Sequence, residues 1–450
     1  MHGWSPEQVA EAAGARLVAV PAPDAAGRPV AGPLRAVIDS RAVVPGDLFA
    51  GLPGDNVDGG RFAAAVLEAG AWGVLVGPDH VEAAAAAAAR PAGGAGVVLA
   101  ADDPLLALQR LATAWRRALG CRVIGVTGSV GKTTTKDVLA AMIASAGVSV
   151  VANEKNLNTE IGLPLTVLRA PAGTEVLVLE MGMRGAGQIA ELATIAEPDV
   201  GIITALGPVH LEQLGTMEAI AAEKAALVAA LPAGRGVAVL PTAEPLLEPH
   251  LRTDLTTVSF GAEHGDVTPA DLHGLGLDDQ ALHVRIDACA ALAAARAVGA
   301  EPVGPVALTL SEMRGQRLHL DGDVTVIEDC YNANPLSMRA ALDDLAATAT
   351  GRRVAVLGDM RELGTDEHAH HEQVGAYARA AGVELLVAVG PLSAAYDGEH
   401  AVPDAAAAAA LVPGLLVAGD TVLVKASRGV GLEAVTGALR DAEAAKLRGT

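Results

Sequence analysis

The residues RVIGVTGSVGKTTTK, at positions 122–136, join a strand pattern to a glycine-containing turn and the start of a helix. Arg122–Thr127 is rich in β-branched residues, and Thr134–Ala146 has a helical pattern. Gly128 and Gly131 let the backbone turn tightly and direct its N–H groups at phosphate oxygens, helped by the positive end of the helix. The sequence therefore predicts a phosphate-binding loop between a buried strand and a helix.

Two side chains of this loop suit nucleotide chemistry. Lys132 offers a positive charge to β- and γ-phosphates, and the Thr133 hydroxyl is a suitable ligand for Mg²⁺. Val126 departs from the common pattern GxxxxGK[ST], which has glycine at that position. The alternative is a glycine turn that only opens a helix, but the preceding strand, the lysine and the threonine run favour nucleotide binding. The residues predicted to bind ATP here are Gly128, Ser129, Val130, Gly131, Lys132, Thr133 and Thr134.

Three further residues are candidates for chemistry at the same sheet. Glu180 ends an apolar strand one crossover after the loop, where nucleotide enzymes place an acid that holds Mg²⁺, although an exposed strand-end carboxylate is the alternative. His210 follows another strand, but a lone histidine is more often a loop or core residue than a ligand. Lys224 lies in the amphipathic helix predicted over Met217–Ala230, where a solvated lysine is the simpler interpretation.

Asparagines cluster in two segments of the chain. Asn156 and Asn158 belong to ANEKNLNTEIGLPLT, and Asn332 and Asn334 belong to EDCYNANP, which also contains Asp329. Such clusters commonly form turns or helix caps, and they can also present amides to a polar substrate. Both interpretations are open for these residues.

The rest of the chain repeats the alternation of strand and helix patterns. Apolar, β-branched runs alternate with amphipathic helices from residue 122 onward, which predicts parallel sheets covered by helices on both faces. A second series, beginning with Val324–Tyr331, has the pattern of a doubly wound sheet. The 450 residues are enough for two to four domains.

Composition and charge exclude several classes of protein. Hydrophobic residues make up 51% of the chain, which excludes a disordered protein. Asp and Glu number 53 against 32 Lys and Arg, and this acidity argues against nucleic acid and anionic membranes as partners. No uninterrupted apolar run of about 20 residues occurs, so we expect no membrane span. Three cysteines without metal-binding spacing fit a reducing cytoplasm.

Two other signals indicate what the chain does not do. His368, His370 and His371 lie together at the acidic start of a predicted helix, where we expect them to face solvent rather than to bind a metal. No NKxD-type guanine motif is visible in the sequence, which counts against a GTPase.

Five segments together resemble the Mur ligase family, namely TGSVGKTTTK, NLNTEIGLPLT, EMGMRGAGQI, GTMEAIAAEK and EDCYNANPLSM. The resemblance extends over nearly the whole chain, and the family itself uses TGxxGKT, without the first glycine. It implies three domains: an N-terminal domain over 1–100 that binds the UDP end of a substrate, a central P-loop-type parallel sheet with flanking helices over 101–311 that binds ATP, and a C-terminal Rossmann-like α/β domain over 312–450. The third domain would close on ATP and bind the incoming amine.

The same resemblance implies an activity. YNANP and LGDMxELG point to the branch of the family that joins D-alanyl-D-alanine to UDP-N-acetylmuramoyl-tripeptide. This is an ATP- and Mg²⁺-dependent amide ligation through an acyl phosphate, which releases ADP and phosphate in peptidoglycan precursor synthesis, and we expect a cytoplasmic monomer. The alternatives are a ligase with a different amine acceptor and a non-catalytic ATP-binding homologue.

Residue roles are implied by the matched motifs. Thr133, Glu180 and His210 become metal ligands, and Lys224 matches a lysine that some members carbamylate to gain a carboxylate for a second Mg²⁺. Arg317, in MRGQRLHL, matches an arginine that reaches the ATP phosphates. The resemblance further implies that Asp329 lies near the ribose, that the substrates contact Asp39, Ser40, Arg41, Asn156, Asn158, Asn332 and Asn334, and that Lys425 and Arg428 are further candidates for the amine site.

The central domain departs from the family in one respect. Members usually have a strand-rich insert ending in GRHN, followed by an Asn that contributes to adenine recognition. Here the stretch 260–295 is short and contains LHVRIDACAALAAA, without GRHN. His283 or Asp287 would have to take that place, so adenine recognition is the least specified part of the site.

Overall fold

A computed structural model describes residues 1, 3–22, 30–89 and 96–448 of the chain. The described residues form three β-sheets flanked by helices, one in each of the stretches 1–100, 101–311 and 312–450. This confirms the predicted three-domain α/β fold, while the boundaries between the domains stay a prediction. None of the described helices combines the length and the apolar character needed to span a membrane.

A five-stranded sheet forms the N-terminal domain. Its strands are β1 (Arg16–Ala19), β2 (Ala36–Val37), β3 (Leu48–Ala50), β4 (Gly73–Val76) and β5 (Val97–Ala100), and its helices are α1 (Pro6–Ala13), α2 (Ala63–Glu68) and α3 (Val81–Ala88). The strand order is β1-β5-β4-β3-β2, with β1 antiparallel to β5 and the other pairs parallel. β4 and β5 are buried along their whole length, as expected of strands covered on both faces.

A six-stranded parallel sheet forms the central domain. Its strands are β6 (Arg122–Thr127), β7 (Val150–Ala152), β8 (Val176–Glu180), β9 (Val200–Ile203), β10 (Val237–Pro241) and β11 (Thr256–Phe260). Its helices are α4 (Pro104–Leu119), α5 (Lys132–Ser145), α6 (Gly162–Arg169), α7 (Gln188–Ala196), α8 (Leu211–Leu214), α9 (Met217–Ala229) and α10 (Leu282–Ala297). The order β11-β10-β9-β6-β8-β7 reverses direction beside β6, and such a reversal opens a crevice at the carboxyl ends of the strands.

The C-terminal domain contains a second six-stranded sheet. Its strands are β12 (Gln316–Leu320), β13 (Val324–Glu328), β14 (Arg353–Gly358), β15 (Leu385–Val389), β16 (His400–Val402) and β17 (Thr421–Lys425), and its helices are α11 (Pro335–Thr348), α12 (Glu367–Ala380), α13 (Ala405–Leu411) and α14 (Glu433–Arg448). The order is β12-β13-β17-β14-β15-β16, with β12 antiparallel to β13 and the other pairs parallel. The carboxyl ends of β13, β14 and β17 therefore meet at one edge.

Helix α4 joins the N-terminal and central domains through a shared core. Leu108 and Leu111 of α4 are fully buried in a cluster that contains Leu48 and Leu75 of the first sheet and Leu177 of the second. The C-terminal sheet has separate clusters on its two faces. The first two domains therefore hold each other in place, and the third packs around its own core.

The short buried strands β3 and β5 were not predicted from the sequence. Four strands at sheet edges, β1, β11, β12 and β16, also did not emerge from it. Their residues are partly or fully exposed along most of their length, so they lack the apolar run that marks a central strand. The segment 310–320, which joins the central and C-terminal domains, contributes β12.

Candidate active site

A cavity of about 620 Å³ opens at the carboxyl end of β6, with walls from both the central and the C-terminal domains. Most of the predicted site residues line it. They are Gly128, Ser129, Val130, Gly131, Lys132, Thr133, Thr134, Asn156, Asn158, Glu180, His210, Lys224, Asp329, Asn332 and Asn334. Asp39, Ser40, Arg41 and Arg317 do not line it.

The loop after β6 has the shape expected for phosphate binding. Gly131 is the N-cap of α5 with a φ of +86°, so α5 begins at Lys132, two residues before the predicted start. A Cβ at Gly131 would lie 2.2 Å from Asp287 Oδ1. The backbone conformation therefore favours glycine here, and any larger residue would also have to displace the Asp287 side chain. The first turn of α5 points N–H groups without intrahelical partners at the cavity, which suits an anion.

Two lysines converge on one carbonyl oxygen of this loop. Lys132 Nζ and Lys224 Nζ donate to the Gly128 oxygen over 2.8 Å and 2.9 Å. Burial lowers the pKa of Lys132, and burial followed by the charge of Lys132 lowers the pKa of Lys224 well below its ordinary value. A polyphosphate bound beside the two buried lysines would stabilise their charged forms.

Glu180 and Thr133 bring oxygen atoms together beside the loop. Thr133 Oγ1 donates to Glu180 Oε2 over 2.9 Å, and Asn158 Nδ2 donates to Glu180 Oε1 over 2.8 Å. Asn153 holds the strand end, because its side-chain oxygen accepts from the Glu180 N–H over 2.6 Å. Glu180 is only 3% exposed, so the alternative of an exposed strand-end carboxylate is wrong.

These oxygens fit Mg²⁺. A buried carboxylate and a hydroxyl are hard ligands, and Mg²⁺ commonly takes one or two protein oxygens and completes its shell with phosphate oxygens and water. His210 lines the same cavity, but an imidazole suits Mg²⁺ less well. Within the described ranges, no three His, Cys, Asp or Glu side chains gather as a metal site. Thr133 and Glu180 therefore fit a magnesium site, and direct ligation by His210 or Lys224 stays a prediction.

Arg314 contacts the phosphate loop, whereas Arg317, the arginine predicted to reach the ATP phosphates, does not line the cavity. Arg314 donates to Thr133 Oγ1 over 3.1 Å, and its guanidinium lies 4.1 Å from the centroid of the Tyr331 ring. Arg317 lies within β12 and pairs with Asp344 at 2.7 Å instead. The two arginines are three positions apart, and the strand that begins between them sends their side chains to different partners.

The C-terminal wall is built around the end of β13. Lys425 Nζ lies 2.6 Å from Asp329 Oδ2 and donates to the Asn332 carbonyl over 3.0 Å. Asn334 is the N-cap of α11, because its side-chain oxygen accepts from the Ser337 N–H over 2.9 Å. The capping interpretation of Asn334 is confirmed, and only its NH₂ group is left for a substrate.

Helix α10 brings His283 and Asp287 to the cavity. Asp287 faces the turn at Gly131, and burial raises the pKa of its carboxyl well above the ordinary value. Burial also lowers the pKa of His283, and the negative charges of Asp329 and Asp344 on the C-terminal wall oppose part of this shift. Asp287 is thus at the phosphate loop, and His283 is nearer the other domain.

The cavity differs in charge from the protein as a whole. Seven basic and seven acidic side chains line it, whereas the chain has 32 basic and 53 acidic residues. The basic residues are Lys132, Arg184, Lys224, Arg314, Arg361, Lys425 and Arg428. In a strongly acidic protein, this local balance favours an anionic ligand.

The residues expected at the UDP end of the substrate form an exposed turn of the N-terminal domain. Asp39 caps a short 3₁₀ turn over Ser40–Ala42, and its carboxylate pairs with Arg41 at 2.8 Å. The Arg41 side chain is 88% exposed. A role for this turn in substrate binding stays a prediction.

Two histidines of α12 differ from the expectation that they face solvent, because His370 is half-buried and His371 is fully buried. His371 is fully buried, its Nε2 accepts from the Met360 N–H over 2.9 Å, and its ring lies 5.0 Å from that of Tyr396. His368 is exposed, as expected. His371 is therefore a hydrogen-bonded core residue, because it lies on the face of α12 that packs on the sheet.

Comparison with known proteins adds an independent observation. The Mur ligase family catalytic domain matches residues 36–118, the Mur ligase middle domain matches 126–285, and the Mur ligase glutamate ligase domain matches 313–428. A UDP-N-acetylmuramoyl-tripeptide–D-alanyl-D-alanine ligase of Mycobacterium tuberculosis is 38% identical, with 96% of each chain covered. The chain belongs to the Mur ligase family.

Other Mur ligases resemble the chain in sequence and in structure. The ligase of the same name from Bacillus subtilis is 34% identical, with 88% of this chain and 91% of the relative covered. MurF of Acinetobacter baumannii has a TM-score of 0.80 at 26% identity, covering 97% of this chain and 99% of that one. MurF of Thermotoga maritima in complex with ADP has a TM-score of 0.76 at 27% identity, covering 90% and 97%.

The Mycobacterium tuberculosis Mur ligase aligns over 496 positions, more than the 450 residues of this chain, so it carries segments that have no counterpart here. Several charged residues that line the cavity of this Mur ligase were not named individually from the sequence, among them Arg314, Arg361 and Glu362. The last two belong to LGDMRELG, which follows a predicted strand, and that position at a strand end was the available signal.

Proposed function

We propose that the chain joins D-alanyl-D-alanine to UDP-N-acetylmuramoyl-tripeptide with ATP, forming ADP and phosphate, in peptidoglycan precursor synthesis. Mur ligase relatives carry both substrates in their names, and one solved relative holds ADP. The observation that carries the proposal is one constellation in one cavity: Lys132 on the loop, Thr133 bonded to Glu180, and Arg314 from the other domain. A phosphate loop of this kind beside an acid and an arginine suits transfer of a γ-phosphoryl group.

The first chemical step activates the tripeptide carboxylate. A carboxylate oxygen attacks the γ-phosphorus, the bond from that phosphorus to the β–γ bridging oxygen breaks, and ADP leaves an acyl phosphate behind. Lys132 and the first-turn N–H groups of α5 hold the β- and γ-phosphates, and Arg314 offsets charge on the group in transfer. Mg²⁺ bound by Thr133 and Glu180 would supply further neutralisation of phosphate charge.

The second step forms the amide. The neutral dipeptide amine attacks the acyl carbon, the carbon–oxygen bond to phosphate breaks, and the nitrogen loses a proton. We place the dipeptide along the C-terminal wall, where Asn332 and the amide of Asn334 offer polar groups. Arg361 lines the same wall and has no ion-pair partner among the described residues, so it is free to bind the dipeptide carboxylate.

In this proposal, the UDP end of the tripeptide substrate binds to the first two domains. Asp39, Ser40 and Arg41 would contact the UDP moiety, and Asn156 and Asn158 would face the peptide near the reacting carboxylate. The exposure of the Asp39–Arg41 turn and the position of both asparagines on the cavity support this direction. The substrate would then extend from the N-terminal domain to the loop after β6.

Acceptor-dependent ADP release tests the function. With ATP, Mg²⁺ and UDP-N-acetylmuramoyl-tripeptide, ADP should accumulate beyond one equivalent per enzyme only when D-alanyl-D-alanine is added, and the amide product should match that ADP in amount. The same assay with a panel of other amines shows whether the enzyme uses an amine other than D-alanyl-D-alanine as its acceptor. ATP binding without ADP release for any amine would contradict the proposal and favour a non-catalytic homologue. The short segment before α10 is the observation that suggests this alternative.

Arg314→Ala should lower kcat/KM for ATP about 100-fold, because it removes a cation that faces the phosphates. Arg317→Ala should lower it less than about tenfold, since that guanidinium is occupied by Asp344. Arg317→Ala should instead lower the melting temperature more than Arg314→Ala does, because the largely buried Asp344 carboxylate loses its partner. Kinetics and thermal unfolding of both variants measure this, and a larger kinetic loss for Arg317→Ala would restore the original assignment.

Lys224→Ala should reduce turnover about 10- to 100-fold. Burial and the neighbouring Lys132 lower the pKa of Lys224, which favours the neutral amine that adds to CO₂ to give a carbamate and a proton. We therefore expect acetate to restore part of the activity of Lys224→Ala, and expect labelled bicarbonate to give a carbamate carbon signal in the wild type. Absence of both the signal and the rescue would exclude the carbamate.

We place the reaction in the cytoplasm. Cys121, Cys289 and Cys330 are free and buried, which suits a reducing compartment. Cell fractionation followed by the ADP assay tests this location.

A further inference from the structure

A histidine of the central domain contacts a glutamate of the C-terminal domain at the cavity. His210 Nδ1 lies 2.6 Å from Glu362 Oε2, and both residues line the cavity. His210 follows β9 and directly precedes α8, whereas Glu362 lies in the loop between β14 and α12. The contact therefore joins two domains at the place proposed for phosphoryl transfer.

Both residues have left-handed backbone conformations. The φ angle is +55° at His210 and +66° at Glu362, although neither residue is glycine. Such conformations persist where the surrounding structure fixes them, and they are concentrated at functional sites. The two loops also pack on each other, since a Cβ on Gly364 would lie 3.7 Å from the Glu212 nitrogen. Two strained positions facing each other across a domain boundary indicate a specific feature of the site.

The contact determines which ring nitrogen is left for a ligand. Nδ1 of His210 is buried and its 2.6 Å contact with Glu362 is an ion-pair distance without hydrogen-bond alignment, but two lone pairs would repel each other at that distance, so Nδ1 carries the proton that faces the carboxylate. Nε2 is then the remaining nitrogen, and in the neutral ring it holds the lone pair. This tautomer can bind a metal ion or accept a hydrogen bond through Nε2, and the opposite tautomer cannot.

We propose that Glu362 is a positioning residue, which orients His210 and keeps its Nε2 lone pair available to the magnesium and phosphate site. The proposal rests on the ligase function and deepens it, because the orienting carboxylate comes from the C-terminal domain. His210 reaches its working form only when that domain is docked on the central one. Phosphoryl transfer is thereby coupled to domain closure.

Helix α12 offers a matched control pair. His368 Nδ1 lies 3.4 Å from Glu372 Oε1, with side chains 72% and 61% exposed. Neither residue lines the cavity. The same two residue types thus meet in the same domain, away from the site.

Glu362→Ala, Glu362→Gln and Glu372→Ala test the role through kinetics and metal binding. We expect Glu362→Ala to lower kcat about 10- to 100-fold with a change in KM for ATP below about threefold, and to weaken Mn²⁺ binding to the ADP-bound protein about tenfold, measured by electron paramagnetic resonance. Glu362→Gln should retain more activity, because its amide oxygen still accepts from Nδ1. Glu372→Ala should leave each quantity within about twofold of the wild type.

The nitrogen-15 spectrum of the His210 ring reports on positioning without turnover. Its signals are assigned by comparison with His210→Gln. The wild-type ring should carry its proton on Nδ1, and Glu362→Ala should move that proton to Nε2. An unchanged tautomer in Glu362→Ala, or kinetics equal to those of Glu372→Ala, would overturn the proposal. If the wild type releases no dipeptide-dependent ADP while the tautomer still shifts, the ligase function fails and the orienting role of Glu362 stands.

Discussion

Lys132→Ala should reduce kcat/KM for ATP by roughly 1,000-fold, the largest effect expected of a single charge in this site. The lysine ammonium lies on the Gly128 carbonyl, at the point where the loop would enclose the β- and γ-phosphates. Burial lowers the pKa of Lys132 because it destabilises the ammonium form. A polyanion that binds beside Lys132 would stabilise this charged form again. ADP release and calorimetric ATP binding measure the loss in turnover and in affinity separately.

Lys155→Ala is the matched control for this variant. Lys155 is exposed, lies close in sequence to the Asn156 that lines the cavity, and does not line it itself. Its removal changes the net charge by the same amount, and activity should stay within about twofold of the wild type. Equal losses in the two variants would mean that overall charge, rather than the position of Lys132, governs ATP binding.

Much of the central domain could be predicted because its signals are local. The strand Arg122–Thr127, the glycine turn and the following helix are written in consecutive residues, and the structure has the strand at these bounds. Glu180 and Lys224 were placed on the correct strand and helix for the same reason. Local patterns also predicted parallel sheets, since continuous β-branched runs require burial on both faces.

Features that depend on distant partners could not be read in this way. Arg314 and Arg317 occupy one short segment, and only the antiparallel pairing of Arg317 with Ile327 in β13 directs it away from the loop. His371 is buried because of the way α12 packs on the sheet, where its ring meets Tyr396. The contact of His210 with the C-terminal domain likewise joins segments that no local pattern connects.

The shape of the phosphate loop depends on Gly131, and Gly131→Ala should lower ATP affinity and kcat/KM about 100-fold or more. The φ of +86° would cost an alanine about 1 kcal/mol. The added methyl group would also lie 2.2 Å from Asp287 Oδ1, so the turn, the Asp287 side chain or α10 has to move. Because this turn aims the first N–H groups of α5, a shift of the turn displaces the phosphate-binding groups together.

Gly147→Ala and Gly131→Ala/Asp287→Ala separate the causes of this loss. Gly147 follows the other end of α5 with a φ of +76° and no atom near a new Cβ, so its substitution should cost stability of about 1 kcal/mol and leave ATP binding unchanged. The double variant removes the collision but keeps the strained φ, and it should regain part of the lost affinity. Thermal unfolding and ATP titration of all three proteins decide the matter. If Gly147→Ala weakened ATP binding as much as Gly131→Ala, the loss would come from general destabilisation of α5, and the close approach of Gly131 to Asp287 would have no special part in forming the loop.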